Sequence, residues 1–151
     1  MSQQVETGND AAAKSLTIED APTEADVHFI EERIIAYNVA ATGYDDYRPL
    51  ALFVRDDQGE IIAGLTGFTW GGTLKIEILW VHETLRGQGY ASRLVEAAER
   101  EAVARGCQHA VLDTHSFQAP EFYPKLGYMR CGFAEDWPLG HQDIYYQKRL
   151  R

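Results

Sequence analysis

The stretch IEILWVHETLRGQGYASRLVEAAEREAVAR, residues 76–105, decides the fold. It passes from an apolar strand through a short polar turn and a glycine-rich loop into a long amphipathic helix. Leu74, Ile76, Ile78 and Trp80 recur at period two, the spacing that puts side chains on one face of a strand. The alternate residues Thr73, Lys75, Glu77, Leu79 and Val81 begin polar and end apolar, so burial is expected at the far end. After the loop, Ala91, Leu94, Val95, Ala98 and Ala102 fall at spacings of three and four and predict a helix with one core-facing stripe. Glu96 with Arg100 and Glu101 with Arg105 are i,i+4 pairs in the favourable order on its wet face. Gly106 stands where a C-terminal cap is expected.

The loop Arg86-Gly87-Gln88-Gly89-Tyr90-Ala91 suits an anion. Glycines at 87 and 89 let the backbone turn sharply and come close to a ligand. The first N–H groups of a helix lack intrahelical partners, and the helix dipole adds positive charge there. A phosphate or pyrophosphate is the natural occupant, and Arg86 and Arg93 add charge-assisted bonds. A glycine-rich turn before a helix also occurs as a turn alone. The loop lacks the Gly-Lys-Ser/Thr end of a P-loop and the GxGxxG of a dinucleotide site.

Two blocks carry a family resemblance. Arg86-x-x-Gly89-x-Ala91, following LWV, resembles the Arg/Gln-x-x-Gly-x-Gly/Ala motif of the GCN5-related N-acetyltransferases (GNAT). Downstream, Ser116-Phe-Gln-Ala119-Pro-Glu-Phe122-Tyr123-Pro-Lys125-Leu126-Gly127-Tyr128 is similar to the family's Asn-x-x-Ala…Tyr-x-Lys-x-Gly-Phe block. Ser116 replaces the usual Asn, and Ala91 replaces the commoner second Gly. The resemblance covers roughly residues 15–150 and is strongest over 76–133. It implies the acyl-CoA N-acyltransferase fold: mixed α/β (α+β), with a largely antiparallel central sheet flanked by helices.

Composition bounds the possibilities. A chain of 151 residues with 45% hydrophobic and 11% aromatic content is globular and long enough for a core. Residues 1–14 are polar, Ala-rich and without period, and are expected to be a flexible tail; 15–151 are expected to form one domain. A net charge of -9 argues against nucleic acid. It is compatible with a cationic acceptor such as an amine. No run of about 18 apolar residues and no secretory signal are present, so a cytoplasmic protein with no membrane partner is expected. Cys107 and Cys131 lack metal spacing and are expected to be small buried residues; no metal is expected.

The rest of the chain reads as a meander and then a strand–helix–strand unit. Leu16-Thr17-Ile18 is a candidate first strand, and Thr23 a candidate N-cap for a helix over about 24–40. Val27, Ile30, Ile34 and Tyr37 form one stripe of that helix, and residues 42–49 a loop. Within it Tyr44, Asp45, Asp46 and Tyr47 have two readings: a capped turn, or an amine-binding group with cation–π contacts. Strands over 50–55 and 60–70 flank a turn at 56–59, and Gly64 and Gly67 suggest a bulge or a close approach. Later come a strand over 109–113, a short helix over 118–126, and strands over 127–133 and 143–148. The strands joined by the long helix are expected to be parallel neighbours.

The resemblance implies the chemistry. Acetyl-coenzyme A is the implied acyl donor, and a small-molecule primary amine the leading acceptor. An acceptor amine on a protein or peptide, and a coenzyme A-binding module without turnover, are the alternatives. The strand carrying Leu79, Trp80 and Val81 is expected to bulge and to splay from the strand ending at Asp113. Its free backbone groups would then bond the pantetheine arm, with the Val81 amide as oxyanion donor. The loop from Arg86 through Gly87, Gln88, Gly89, Tyr90 and Ala91 to Ser92 would hold the pyrophosphate. Ser116, Ala119, Phe122 and Lys125 would complete the cofactor contacts. Tyr123 matches the family's general acid, and a phenol is protonated at neutral pH. For the amine's proton, Glu77 is the first candidate; the other reading pairs it with Lys75 or Lys125. His141, in a loop before the last strand, is the second, and His115 a further contact for cofactor or acceptor. Monomer and homodimer are both left open.

Overall fold

A computed structural model describes residues 14–151. The chain divides into two compact units, one ending at Ala41 and the other running from Thr42 to Arg151. The expected tail lies outside the described residues except for Lys14.

All of α1 (Glu24–Thr42) but its last residue belongs to the first unit. Thr23 caps it: its hydroxyl accepts from the Asp26 amide at 3.1 Å, the bond that satisfies one orphan donor of the first turn. No residue of α1 is buried. The expected strand at residues 16–18 does not form. A strand exists only through ladder bonds to a neighbour, and an apolar triplet cannot supply those by itself.

The second unit is a six-stranded sheet in the order β1-β2-β3-β4-β6-β5. Its strands are β1 (Arg48–Arg55), β2 (Ile61–Trp70), β3 (Thr73–Val81), β4 (His109–His115), β5 (Met129–Glu135) and β6 (Gln142–Arg149). Only β3 and β4 run parallel; every other neighbouring pair is antiparallel. The largely antiparallel mixed sheet expected from the sequence is therefore present. α2 (Tyr90–Ala104) connects the parallel pair. Its stripe of Leu94, Val95, Ala98 and Ala102 is buried against Leu65, Leu74, Ala110, Leu112 and Ile144 of one sheet face. Arg105, at its C-cap, bonds Glu101 at 2.7 Å and the carbonyls of Arg48 and Pro49, tying the helix end to β1. Gly106 follows at φ +93°, the left-handed conformation expected of a helix stop. Lys148 of β6 meets Glu99 of α2 at 2.7 Å, and the Tyr128 hydroxyl donates to the same carboxylate at 3.3 Å.

One expectation fails in β3. Leu74 and Ile76 are buried, but Ile78 and Trp80 are exposed, whereas Leu79 and Val81 pack against the core. The pairing with β2 steps from Gly67–Ile76 to Thr66–Ile78, leaving Glu77 without a partner. One extra residue reverses the phase of every side chain beyond it. Gly67 lies where the strands come closest: a Cβ there would stand 2.1 Å from the Lys75 carbonyl oxygen. The expected close approach at this glycine is present.

Two further expectations are corrected. Residues 118–126 form no single α-helix but two 3-10 turns, Pro120–Phe122 and Pro124–Leu126, each opened by its proline. Pro124 cannot donate the bond that an α-helix would require there. Cys107 is buried, but Cys131 is exposed. Cys131 lies at a register shift of the edge strand β5, between Arg130 and Gly132, and faces outward.

Candidate active site

β3 and β4 pair at only three positions: Thr73 with His109, Leu74 with Ala110 and Lys75 with Val111. Beyond them the strands part, and a cleft of about 820 Å³ opens between residues 76–81 and 112–114. It extends to the loop at 85–92 and to the turn at 117–123. The expected bulge and splay are both present.

The ladder decides which backbone groups face the cleft. His82 donates to the Ile62 carbonyl at 2.9 Å, so His82 is hydrogen-bonded to β2. In an antiparallel pair such residues alternate with ones whose N–H and C=O turn away. Val81, opposite Ala63, is therefore turned from β2, and so is Leu79, opposite Leu65. The Val81 carbonyl accepts from Arg86 Nε at 3.2 Å. The Val81 amide is directed to the side where β4 has departed.

At the other end of the cleft is the head of α2. Gly89 is the N-cap, at φ +82° and ψ 7°, with no side chain bonded to the first turn. Gly87 is also left-handed, at φ +75°. The first helical bond runs from the Arg93 amide to the Gly89 carbonyl at 3.1 Å, so the Tyr90, Ala91 and Ser92 amides are free of helical partners. No acidic residue stands in this turn. The fit to a diphosphate is good: unpaired donors, a left-handed glycine and the positive end of the helix coincide. Arg93 lies over the Tyr90 ring at 4.5 Å.

Tyr123 lines the cleft from the turn region. Its side chain is buried among Phe122, Tyr128 and Tyr146, with ring centroids 5.1, 5.9 and 5.8 Å away. Burial, and then the negative charge of Asp113, push its phenol up to about 12. It therefore keeps its proton throughout the neutral range.

The other expected site residues divide. Glu77, Leu79, Trp80, Val81, Arg86, Gly87, Gly89, Tyr90, Ala91, Ser92, Ala119 and Phe122 all line the cleft. Glu77 sits at the bulge, and Lys75 bonds Asp113 rather than Glu77. Gln88, Ser116, Lys125 and His141 do not line it. Gln88 donates to the Thr84 carbonyl at 3.2 Å. The Ser116 hydroxyl accepts from the Gln142 amide at 3.0 Å, so it ties β4's end to β6 rather than facing the cleft. Lys125 is exposed in the second 3-10 turn, and His141 is exposed in the β5–β6 loop. Tyr44 and Asp46 belong to a capped turn: the Tyr44 carbonyl accepts from the Trp70 indole, and Asp46 from the Gly71 amide.

Phe117, Gln118 and Asp113 line the cleft without having been assigned a role there. Phe117 stands inside the second motif block, but only the parting of β3 and β4 brings it to the cleft wall. Among the described residues no group of three or more His, Cys, Asp or Glu is placed to hold a metal, and no helix is long and apolar enough to cross a membrane.

The profile of the Acetyltransferase (GNAT) family matches residues 15–128. The chain is 36% identical over 121 residues to "Acetyltransferase Atu2258" of Agrobacterium fabrum, spanning 80% of this chain and 88% of that one. It is 37% identical over 97 residues to "Blasticidin-S acetyltransferase" of Streptomyces morookaense, spanning 62% and 71%. A 1.9 Å crystal structure of an acetyltransferase from Bacillus cereus superposes with a TM-score of 0.75 at 35% identity, over 88% of this chain and 97% of that one.

Proposed function

The chain belongs to the GNAT acetyltransferase family, and from that premise we propose that it moves the acetyl group of acetyl-coenzyme A to a primary amine of a small molecule. The observation that carries this reading is the parting of β3 from β4 with the Val81 amide turned into the gap. A thioester lying there would meet a preset donor at its carbonyl oxygen. One such donor is worth about 3 kcal/mol to a transition state. The head of α2 and Arg86 hold the pyrophosphate, while the Leu79 and Val81 backbone groups flank the pantetheine arm. With both reactants held in one cleft, the amine attacks the carbonyl carbon directly, which removes much of the entropic barrier. The Tyr123 phenol then protonates the departing thiolate.

The cleft walls favour a small acceptor with apolar parts. Trp80 and Phe117 are partly exposed along the cleft, and Glu77 supplies negative charge beside them. The similarity to an enzyme named for blasticidin-S points the same way.

Thiol release from acetyl-coenzyme A by the purified chain, followed over a panel of small amines and lysine peptides, tests the reading. Release that saturates with at least one small amine is expected. Coenzyme A binding with no release from any small amine would overturn it.

A further inference from the structure

β4 ends at His115 beside the buried Asp143 carboxylate, which is engaged by a side-chain hydrogen bond with Tyr145 but keeps one oxygen unpartnered among the described residues. His115 pairs with Asp143 of β6 in register, so the two side chains share a sheet face. Asp143 is 3% exposed, and its Oδ1 is buried without a hydrogen-bond partner among the described residues. That oxygen lies 3.7 Å from His115 Nδ1. An orphaned buried carboxylate oxygen is costly in a fold unless a charge or a donor arrives to meet it.

The tautomer of His115 follows from its other contact. Nδ1 stands 3.1 Å from the Trp137 carbonyl oxygen. A carbonyl only accepts, so Nδ1 carries the hydrogen and Nε2 carries the lone pair. No hydrogen bond engages Nε2 among the described residues, and the side chain is 26% exposed. The ring is stacked on Phe117 at 5.3 Å and 5°, and Phe117 lines the cleft. His115 does not itself line the cleft but borders it through Phe117, with Nε2 unengaged among the described residues and the unpartnered Asp143 Oδ1 3.7 Å from its Nδ1. His141 meets Phe117 from another side, edge-on at 5.0 Å, but no hydrogen bond holds its ring among the described residues. Glu77 is likewise held by no partner among the described residues.

We propose that His115, oriented by the Trp137 carbonyl and by Asp143, is the group that takes the proton of the acceptor amine. This rests on the acetyltransferase reading. The ammonium gives one proton to Nε2, directly or through one water, and the imidazole becomes an imidazolium facing Asp143. The freed lone pair forms the C–N bond to the acetyl carbonyl carbon. The C–S bond breaks with its electron pair on sulfur, which takes the Tyr123 proton. The phenolate recovers a proton from the nitrogen, leaving a neutral amide, and the imidazolium releases its proton to solvent. Asp143 is a positioning residue. The charged and titratable groups around His115 are Asp143 and Tyr145 from β6, Asp113 with its partner Lys75 from β4 and β3, and His141 from the β5–β6 loop.

The test compares the unaltered chain with His115→Gln and Asp143→Asn, using an amine that the unaltered chain accepts. For His115→Gln, kcat/KM at neutral pH should fall about 100-fold, with coenzyme A affinity and thermal midpoint unchanged. The loss should shrink as pH rises, and should be small for a weakly basic amine that is already neutral. A loss equal for strongly and weakly basic amines, or no loss, would overturn the inference. Long-range 1H–15N NMR of the folded chain gives a second measurement. Nε2 should be the unprotonated nitrogen of His115 in the unaltered protein, and the opposite tautomer would overturn the proposal even if Asp143→Asn fails to fold. No thiol release by the unaltered chain with any amine would sink the acetyltransferase reading itself, and this inference with it. Release that His115→Gln leaves intact would sink the inference alone.

Discussion

Tyr123 and Gly89 carry the sharpest expectations at the scale of single residues. Tyr123→Phe removes only the proton donor, since the ring contacts with Phe122, Tyr128 and Tyr146 survive. Turnover should fall about 100-fold while coenzyme A affinity, measured by calorimetry, stays within about twofold of the parent. A Gly89→Val chain should bind coenzyme A at least about tenfold more weakly, a loss of about 1.4 kcal/mol. No atom lies within 4 Å of a Cβ at Gly89, so the obstacle is its φ of +82°, which a β-branched residue resists. Unchanged affinity would remove the head of α2 as the anion site. Gly89 was readable from the glycine loop before the striped helix, whereas Tyr123 was singled out by the resemblance of its block to the family's motif. Ser116 shows the limit of that legibility. Its position in the motif is plain, but its hydroxyl is taken by the Gln142 amide, a partner that only the sheet brings near. His115 is the converse: the sequence offered it only as a further contact for cofactor or acceptor, and Asp143 and the Trp137 carbonyl beside it come from the sheet and the β5–β6 loop.

Among the elements, β3 decides the site. Its bulge at Glu77 turns Leu79 and Val81 to the core face and leaves Ile78 and Trp80 outward. The period-two pattern of the sequence was real, but one unpaired residue cut it in half. Gly67, in the facing strand, permits the close approach. Gly67→Ala would drive a Cβ to 2.1 Å from the Lys75 carbonyl oxygen, and backbone on both sides must move. We expect a destabilisation on the order of 3 kcal/mol, read from the urea midpoint. A chain with unchanged midpoint would show that the approach is looser than drawn. The turn at residues 118–126 carries the same lesson. Its apolar spacing reads as a helix, but Pro120 and Pro124 divide it into two 3-10 turns that set Tyr123 against the cleft.

For the whole molecule, the buried phenols make alkaline pH the vulnerable side. Burial, and then the Asp113 charge, raise Tyr123 from 10.0 to about 12. Burial, and then Glu99, also push Tyr128 up. The folded chain holds these protons more tightly than the unfolded one, so unfolding releases them once pH exceeds the ordinary phenol value. The Tyr123 contribution is fully present below pH 10 and is lost as pH climbs toward about 12. Urea midpoints should stay level from pH 7 to about 9.5 and then fall, with a shallower fall in Tyr123→Phe. An equal fall in that variant would mean that other groups control the alkaline limb. What the sequence determined alone is what neighbours along the chain can enforce: the glycine loop, the striped helix after it, the capped turns and the two motif blocks. Tertiary structure decided the phase of β3, the divergence that opens the cleft, and which side chains meet there. Those depend on ladder register and packing between segments far apart in the chain, which no local period encodes.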